Sequence, residues 1–242
     1  MVLTEFIIYL LIGCSVIAGY YYLNLNPADK ITGFFVYYLL FDFFASTVGM
    51  YARIIRNNEG LHFLKDTFLY NDYWFFNPVI VIGFALYAFY FRLNLKNNLL
   101  RQLLAIGIFS FVSFSVIDFL YSDIFFTSHS KSIFLLGSLL TITGIFFFYY
   151  ELLKSNKILK ASKNVTLYVS VAYLIHNLIN LPIWIYTPKY FTAVNPDFIR
   201  LYYIVLSTSY LILYGTYIFA FIYCDKLEGN SKNLGDGKFV EK

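Results

Sequence analysis

The sequence predicts an all-α fold, a bundle of seven transmembrane helices, and three observations support this prediction. Of the 242 residues, 60% are hydrophobic and only 13% are charged. A soluble domain is about 45–50% apolar and about 25% charged, so the composition indicates a polytopic membrane protein. Apolar stretches long enough to cross a bilayer core about 30 Å thick recur along the chain. The connections between most of these stretches are short.

Each apolar stretch is expected to be helical, because backbone groups without hydrogen-bond partners are costly in lipid. The seven predicted spans are Glu5–Leu23, Ile31–Tyr51, Tyr73–Phe91, Leu103–Tyr121, Ser132–Tyr150, Val165–Tyr186 and Leu201–Cys224. No Lys or Arg precedes the first span, so it lacks the basic region of a cleaved signal peptide and is expected to be retained. The spans form one domain, residues 1–224. Residues 225–242 are polar and are expected to be a disordered tail, because they offer little apolar surface for folding.

The distribution of Lys and Arg predicts the orientation of the bundle. Of the 18 basic residues, 6 fall on the side of the amino terminus and 12 on the opposite side. Cytoplasmic connections carry the excess of Lys and Arg. The amino terminus is therefore expected outside and the carboxyl terminus in the cytoplasm.

One connection is long enough to hold structure of its own. It runs from Ala52 to Asp72 and carries Leu61, Leu64 and Phe68 at helical spacing. That spacing is typical of a helix lying on the membrane surface. A plain loop is the alternative, and the residues alone do not decide between them.

Two ionisable side chains lie in the middle of predicted spans. Asp42 and His176 each follow the cytoplasmic end of a span by 11 residues. At 1.5 Å per residue both lie about 17 Å from that edge, so a contact between them is geometrically allowed. Such a contact would make the pair sensitive to protons. In the structural alternative, Asp42 is hydrogen-bonded to a Tyr or Ser and His176 joins two helices as a neutral residue.

The sixth span carries further polar residues near its middle. Asn180 lies one helical turn beyond His176 on the same face, whereas Asn177 is offset by about 100° and is predicted to face a neighbouring seam. Pro182 is expected to act as a hinge, because it cannot donate a hydrogen bond to the carbonyl of Leu178. The sixth helix is therefore expected to line a ligand site or to move.

The seventh span carries a stripe of polar side chains at steps of 4, 3, 4 and 3: Tyr203, Ser207, Tyr210, Tyr214 and Tyr217. Such a stripe faces the interior of a bundle. Its phenols either line a polar cavity, with Tyr210 and Tyr214 as candidate ligand-binding residues, or bond to neighbouring helices. A second stripe, Gly137, Thr141 and Gly144 in the fifth span, predicts close packing of that helix against another.

Several function classes are disfavoured. The seventh span contains no Lys that could form a retinal Schiff base. Seven-helix zinc hydrolases need several deep His residues, whereas His62 and His129 fall in connections and only His176 is deep. There is no HExxH, G-x-S-x-G or phosphate-binding loop motif. No catalytic residue, metal, cofactor or nucleic-acid partner is expected, and the protein is predicted not to be an enzyme.

Three stretches carry a family resemblance: NDYWFFNPVIVIGFALYAFYFR at 71–92, NVTLYVSVAYLIHNLINLPIW at 164–184 and LYYIVLSTSYLILYGTYIFAFIYC at 201–224. The chain resembles uncharacterised seven-helix integral membrane proteins of Bacteroidetes-type bacteria, which implies a multi-pass protein of the bacterial inner membrane. Members of such groups are often encoded near sensor histidine kinases. The resemblance therefore implies a sensing or regulatory role with a membrane or cytoplasmic signalling partner, such as a histidine kinase.

Two classes of function remain. In the first, a ligand, proton or lipid acts on Asp42 and His176, and the sixth helix relays the change to a cytoplasmic partner. In the second, the protein is a transporter of a small solute or a proton-coupled transporter. Ionisable residues near the midplane favour transport, and the absence of paired half-helices or repeats in the sequence disfavours it.

Overall fold

The computed structural model describes residues 2–155, 163–191 and 196–235, with side chains at 7–61, 63–155, 163–183 and 200–224. Within these ranges all regular structure is helical. The helices are α1 (Val2–Leu25), α2 (Lys30–Gly49), α3 (Tyr51–Asn57), α4 (Tyr73–Asn94), α5 (Asn98–Tyr121), α6 (Ile124–Thr127), α7 (Lys131–Lys154), α8 (Val165–Phe191) and α9 (Pro196–Gly235). Short 3₁₀ helices occupy Glu59–Leu64 and Phe68–Tyr70.

Seven helical segments among the described residues are long and apolar enough to cross a membrane, which confirms the predicted number of spans. They are Ile7–Leu25, Lys30–Asn57, Tyr73–Asn94, Asn98–Tyr121, Lys131–Lys154, Val165–Ile183 and Arg200–Cys224. The second is longer than predicted, because α3 follows α2 after the single residue Met50 and the two together form one apolar segment. The direction in which the bundle crosses a membrane stays a prediction.

Side chains next to the helices explain where several of them begin and how they are connected. The Asp29 carboxylate accepts a hydrogen bond from the backbone N–H of Thr32 at the start of α2, at 3.0 Å. Such caps satisfy backbone donors that have no partner within the helix. The Glu151 carboxylate on α7 accepts the backbone N–H groups of Lys96 and Asn97 at 2.8 and 2.7 Å. It thereby holds the connection between α4 and α5 against the end of α7.

Six of the spanning helices form a closed circle. Going around it, α1 packs on α2, α2 on α4, α4 on α7, α7 on α8, α8 on α9, and α9 on α1. The remaining spanning helix, α5, packs on α4 and α7 from outside. The interior of the circle is filled largely by fully buried aromatic side chains: Phe35, Tyr87, Tyr90, Phe91, Tyr217 and Phe221. The abundant Phe and Tyr residues therefore supply much of the core.

The close packing predicted for the small-residue stripe is confirmed. A Cβ atom placed on Gly137 would overlap the aromatic ring of Phe84 on α4. One placed on Gly144 would lie 3.2 Å from the Cβ of Phe91, also on α4. Thr141 between them is fully buried and donates to the carbonyl of Ser138 at 2.9 Å. The stripe therefore brings α7 and α4 together.

The long connection forms neither of the two predicted arrangements. Helical backbone continues through α3 to Asn57 and is followed by the two short 3₁₀ helices instead of one interfacial helix. In this connection, hydrogen bonds between side chains and the nearby backbone compete with the backbone hydrogen bonds of a longer helix. The Asn58 Oδ1 accepts the N–H of Gly60 at 3.0 Å, and the Thr67 hydroxyl donates to the carbonyl of Leu64 at 2.6 Å.

The last helix is also longer than the sequence predicts. Residues 225–235, expected to be part of a disordered tail, are helical, because α9 extends from the span Arg200–Cys224 to Gly235. Extending an existing helix needs no new nucleus, so polar residues can continue it. Residues 236–242 lie outside the described residues.

Candidate functional site

A cavity of about 370 Å³ lies inside the six-helix circle. From α2 it is lined by Tyr38, Asp42 and Ser46, which are spaced four residues apart and therefore lie on one face of that helix. From α9 it is lined by Tyr210, Leu213 and Tyr214. The interior stripe predicted on the seventh span therefore does border a cavity, at its central residues.

Helix α8 contributes the predicted polar cluster. Tyr173, His176, Asn177 and Asn180 all line the cavity. Asn177 does not face a separate seam as predicted, and its side-chain amide donates to the carbonyl of Tyr173 at 3.0 Å. A cavity enclosed by helices on several sides borders a wide arc of α8, so an offset of about 100° does not exclude Asn177 from it.

Asp42 has the hydrogen-bond partner that the structural alternative requires. The Tyr214 hydroxyl donates to the Asp42 Oδ2 at 2.6 Å, which links α2 to α9. No hydrogen bond of the described residues uses the other carboxylate oxygen, Oδ1. One oxygen of Asp42 thus joins two helices, and the other remains available to a ligand in the cavity.

His176 also joins two helices. Its Nδ1 lies 3.2 Å from the hydroxyl of Ser209 on α9 and 3.1 Å from the Nδ2 of Asn180. Its imidazole lies 4.8 Å from the aromatic ring of Tyr210, centroid to centroid. These contacts fix the imidazole between α8 and α9 at the edge of the cavity.

Asn180 uses only one end of its side-chain amide. The Nδ2 lies 3.0 Å from the Ser209 hydroxyl and 2.8 Å from the carbonyl oxygen of His176. The side chain is 2% exposed, yet its Oδ1 has no hydrogen-bond partner among the described residues. A buried polar atom without a partner is costly unless a molecule in the cavity satisfies it.

Asp42 and His176 share the cavity without touching. Among the described residues, no hydrogen bond or ion pair joins their side chains. Aromatic rings connect them instead: Tyr214, bonded to Asp42, stacks on Tyr210 with 6.0 Å between centroids, and Tyr210 contacts His176. The predicted residues are thus brought to one site, but as separate groups on its wall. Pro182 is exposed and lies two residues beyond Asn180, and α8 continues through it to Phe191.

The sequence did not single out the tyrosines at the inner end of the cavity. Tyr173 stacks on Tyr87 with 3.7 Å between centroids, and Tyr38 meets Tyr87 edge to face at 5.0 Å. Tyr87 is also hydrogen-bonded to Tyr217 on α9. Tyr38 and Tyr173 lie one turn before Asp42 and Asn177, so helical spacing could have found them. No pattern in the sequence distinguishes Tyr87 from its aromatic neighbours on α4.

The other end of the cavity reaches the connections on the side of the amino terminus, where Asp72 and His129 line it. The lining extends along α4 from Asp72 to Phe84, about 18 Å at the helical rise. Asn77 fixes this end by donating to the carbonyl of Ser128 at 3.0 Å. Burial lowers the pKa of His129 from its ordinary value, and the nearby charge of Asp72 opposes that shift.

The cavity contains the groups of a binding site. It offers a carboxylate oxygen, an amide oxygen and several aromatic faces, and its volume lies near the lower end of the roughly 300–1,000 Å³ typical of small-molecule sites. Within the described residues, no group of three or more His, Cys, Asp or Glu side chains is arranged to hold a metal ion. Comparisons of the chain with family models, curated proteins and solved structures found no match.

Proposed function

We propose that this protein is a non-enzymatic sensor or regulatory component of the bacterial inner membrane. A small molecule binds in the cavity at Asp42, His176 and Asn180, and α8 and α9 relay the binding event to a cytoplasmic or membrane signalling protein, such as a histidine kinase. The observation that supports this proposal is the shared cavity, because it unites the polar groups of three helices at one ligand-sized space.

The geometry explains how binding would be relayed. A ligand can shift a conformational equilibrium only by binding one state better than another. Asp42 and Tyr214 join α2 to α9, while His176 and Ser209 join α8 to α9. A ligand that competes for either set of contacts changes how these helices pack. Pro182 follows the site in α8 and removes one backbone hydrogen bond, so the helix is weakest on that side of the cavity.

The proposed orientation assigns the two ends of the bundle different roles. The end of the cavity bordered by Asp72 and His129 would face the outside. The connection between α4 and α5, with Arg92, Lys96 and Arg101, would face the cytoplasm and offer the partner a basic surface.

The test is a crosslinked pull-down of the tagged full-length protein from its native membrane, with the wild type beside His176→Ala. A signalling protein captured by the wild type and recovered differently with the variant supports the proposal and identifies the output. Thr208→Ala is the matched control, because Thr208 is exposed on α9 and, among the described residues, its hydroxyl bonds only to the carbonyl of Ile204. The proposal is contradicted if the wild type and both variants recover the same amount of a signalling protein. It is also contradicted if no other protein is recovered with the bundle.

Transport is the second candidate, because the cavity holds ionisable groups near the middle of the spans. If the protein is a proton-coupled transporter, Asp42→Asn in proteoliposomes abolishes uptake of a solute while the protein remains folded. Unchanged uptake would contradict a transport role for Asp42.

A further inference from the structure

We infer that the cavity binds a small organic cation that carries an ammonium group. This inference deepens the proposed function by naming the class of molecule that is sensed, and it rests on that proposal for its biological meaning. The binding itself rests on the charges, the acceptors and the aromatic surfaces that the cavity presents.

The charge of the cavity wall is the first argument. Asp42 and Asp72 line the cavity, and no Lys or Arg is among the described residues that do so. A carboxylate within a membrane protein pairs with an opposite charge or a hydrogen-bond donor, because an isolated charge there is costly. Tyr214 satisfies only one oxygen of Asp42, and His176 makes its described polar contacts to Ser209 and Asn180 instead. The second oxygen of Asp42 is therefore open to a positively charged donor that a ligand would bring.

The hydrogen-bonding character of the wall is the second argument. The Oδ1 of Asn180 is buried without a partner among the described residues, and the amide nitrogen of the same side chain is already engaged. No described hydrogen bond uses the Oδ1 of Asp42. Both of these groups accept hydrogen bonds and neither donates. A ligand with N–H donors satisfies them, whereas an anion would place its oxygens against them.

The aromatic surface is the third argument. Tyr38, Tyr210 and Tyr214 line the cavity around Asp42. Tyr210 and Tyr214 lie parallel, with 6.0 Å between their centroids and 6° between their planes. The face of an aromatic ring attracts a cation within about 6 Å, by about 2 kcal/mol or more where water is excluded. Aromatic faces beside a carboxylate are suited to an alkylammonium ion, whose charge and hydrocarbon both find partners.

The test measures binding of n-butylammonium and of its neutral analogue 1-butanol to the purified full-length protein in detergent, by titration calorimetry at neutral pH. We expect butylammonium to bind at least tenfold more tightly than butanol. Asp42→Asn should lower the affinity for butylammonium at least tenfold and leave that for butanol unchanged. Asp118→Asn is the matched control, because the carboxylate of Asp118 bonds to Ser130 and lies outside the cavity.

Equal affinities for the two probes would overturn the inference, as would no saturable binding of either, or Asp42→Asn with unchanged affinity. If that variant does not fold, Asn180→Leu tests the same site, because it removes the acceptor with little change in size, and we expect a several-fold loss of butylammonium affinity. Binding of butylammonium without any change in partner recovery would support the inference and count against the sensor proposal. If butylammonium does not bind but partner recovery changes with His176→Ala, the sensor proposal is supported and the inference of an ammonium ligand is contradicted.

Discussion

The hydrogen bond from Tyr214 to Asp42 links α9 to α2 beside the cavity, and a double-mutant cycle measures its strength. The variants are Asp42→Ala, Tyr214→Phe and the double variant, each unfolded by SDS in mixed micelles and followed by circular dichroism. Because Asp42 already borders the cavity, truncating it enlarges an existing space and creates no new void in the packed core. Tyr214→Phe removes only the donor.

The expected coupling energy follows from the geometry and the environment. The bond is short, 2.6 Å, and its acceptor is a carboxylate oxygen, so in a soluble protein it would be worth about 1.5–3 kcal/mol. In membrane proteins the unfolded chain finds other partners within the bilayer, and such bonds average about 0.6 kcal/mol and reach about 1.7 kcal/mol. We expect a coupling free energy near the upper membrane value, about 1–1.7 kcal/mol.

A parallel cycle provides the control. Tyr121 is 88% exposed on α5, so Asp42→Ala and Tyr121→Phe should be additive within about 0.5 kcal/mol. Coupling between Asp42 and Tyr214 that is no larger than in this control would refute the reasoning, because it would mean that the two side chains do not interact in the folded protein.

Two further predictions concern packing and protonation. Gly137→Ala should lower the free energy of unfolding by about 1–3 kcal/mol because the added methyl group overlaps Phe84. Gly215→Ala should not, because an added Cβ there meets no heavy atom of a described residue within 4 Å beyond its own stretch of helix; SDS unfolding of both variants decides this. His129 should titrate below its ordinary pKa of 6.5 in an NMR titration of its ring protons, assigned with His129→Gln. Since the unfolded chain then binds more protons than the folded one, the stability from His129 should be complete above about pH 6.5 and decline as the pH falls toward the folded-state pKa. An ordinary pKa for this imidazole, or wild-type pH dependence in the Gln variant, would contradict that account.

The sequence predicted the spans well because their signal is local. A helix in lipid must satisfy its own backbone, so each apolar stretch near 20 residues long can be recognised by itself. Asp42 and His176 were placed at one depth by counting residues, and the structure brings both to one cavity. Counting residues could not predict that the two side chains lie apart within the cavity, because the depth of a residue does not specify how its helix is rotated.

The arrangement of the helices could not be predicted in this way. Residues that face lipid and residues that face a neighbouring helix are both apolar, so although α5 has the highest mean hydropathy of the seven spans, 2.2, the sequence does not say which helices it packs on. Leu120 on α5 is 77% exposed and Phe91 on α4 is fully buried, yet both are large apolar residues within predicted spans. Tyr87 was missed because its contacts with Tyr38, Tyr173 and Tyr217, and no pattern in the sequence, distinguish it from other aromatic residues.

The contact between the first and last spanning helices has a consequence for biosynthesis. The six-helix circle closes only when α9 packs on α1, and Tyr214 reaches Asp42 across 172 residues of sequence. During translation Asp42 is made long before its partner, so until α9 is synthesised its carboxyl group must rely on other hydrogen-bond donors. A chain that stops before α9 would lack the native partner of Asp42 permanently and would leave the circle open.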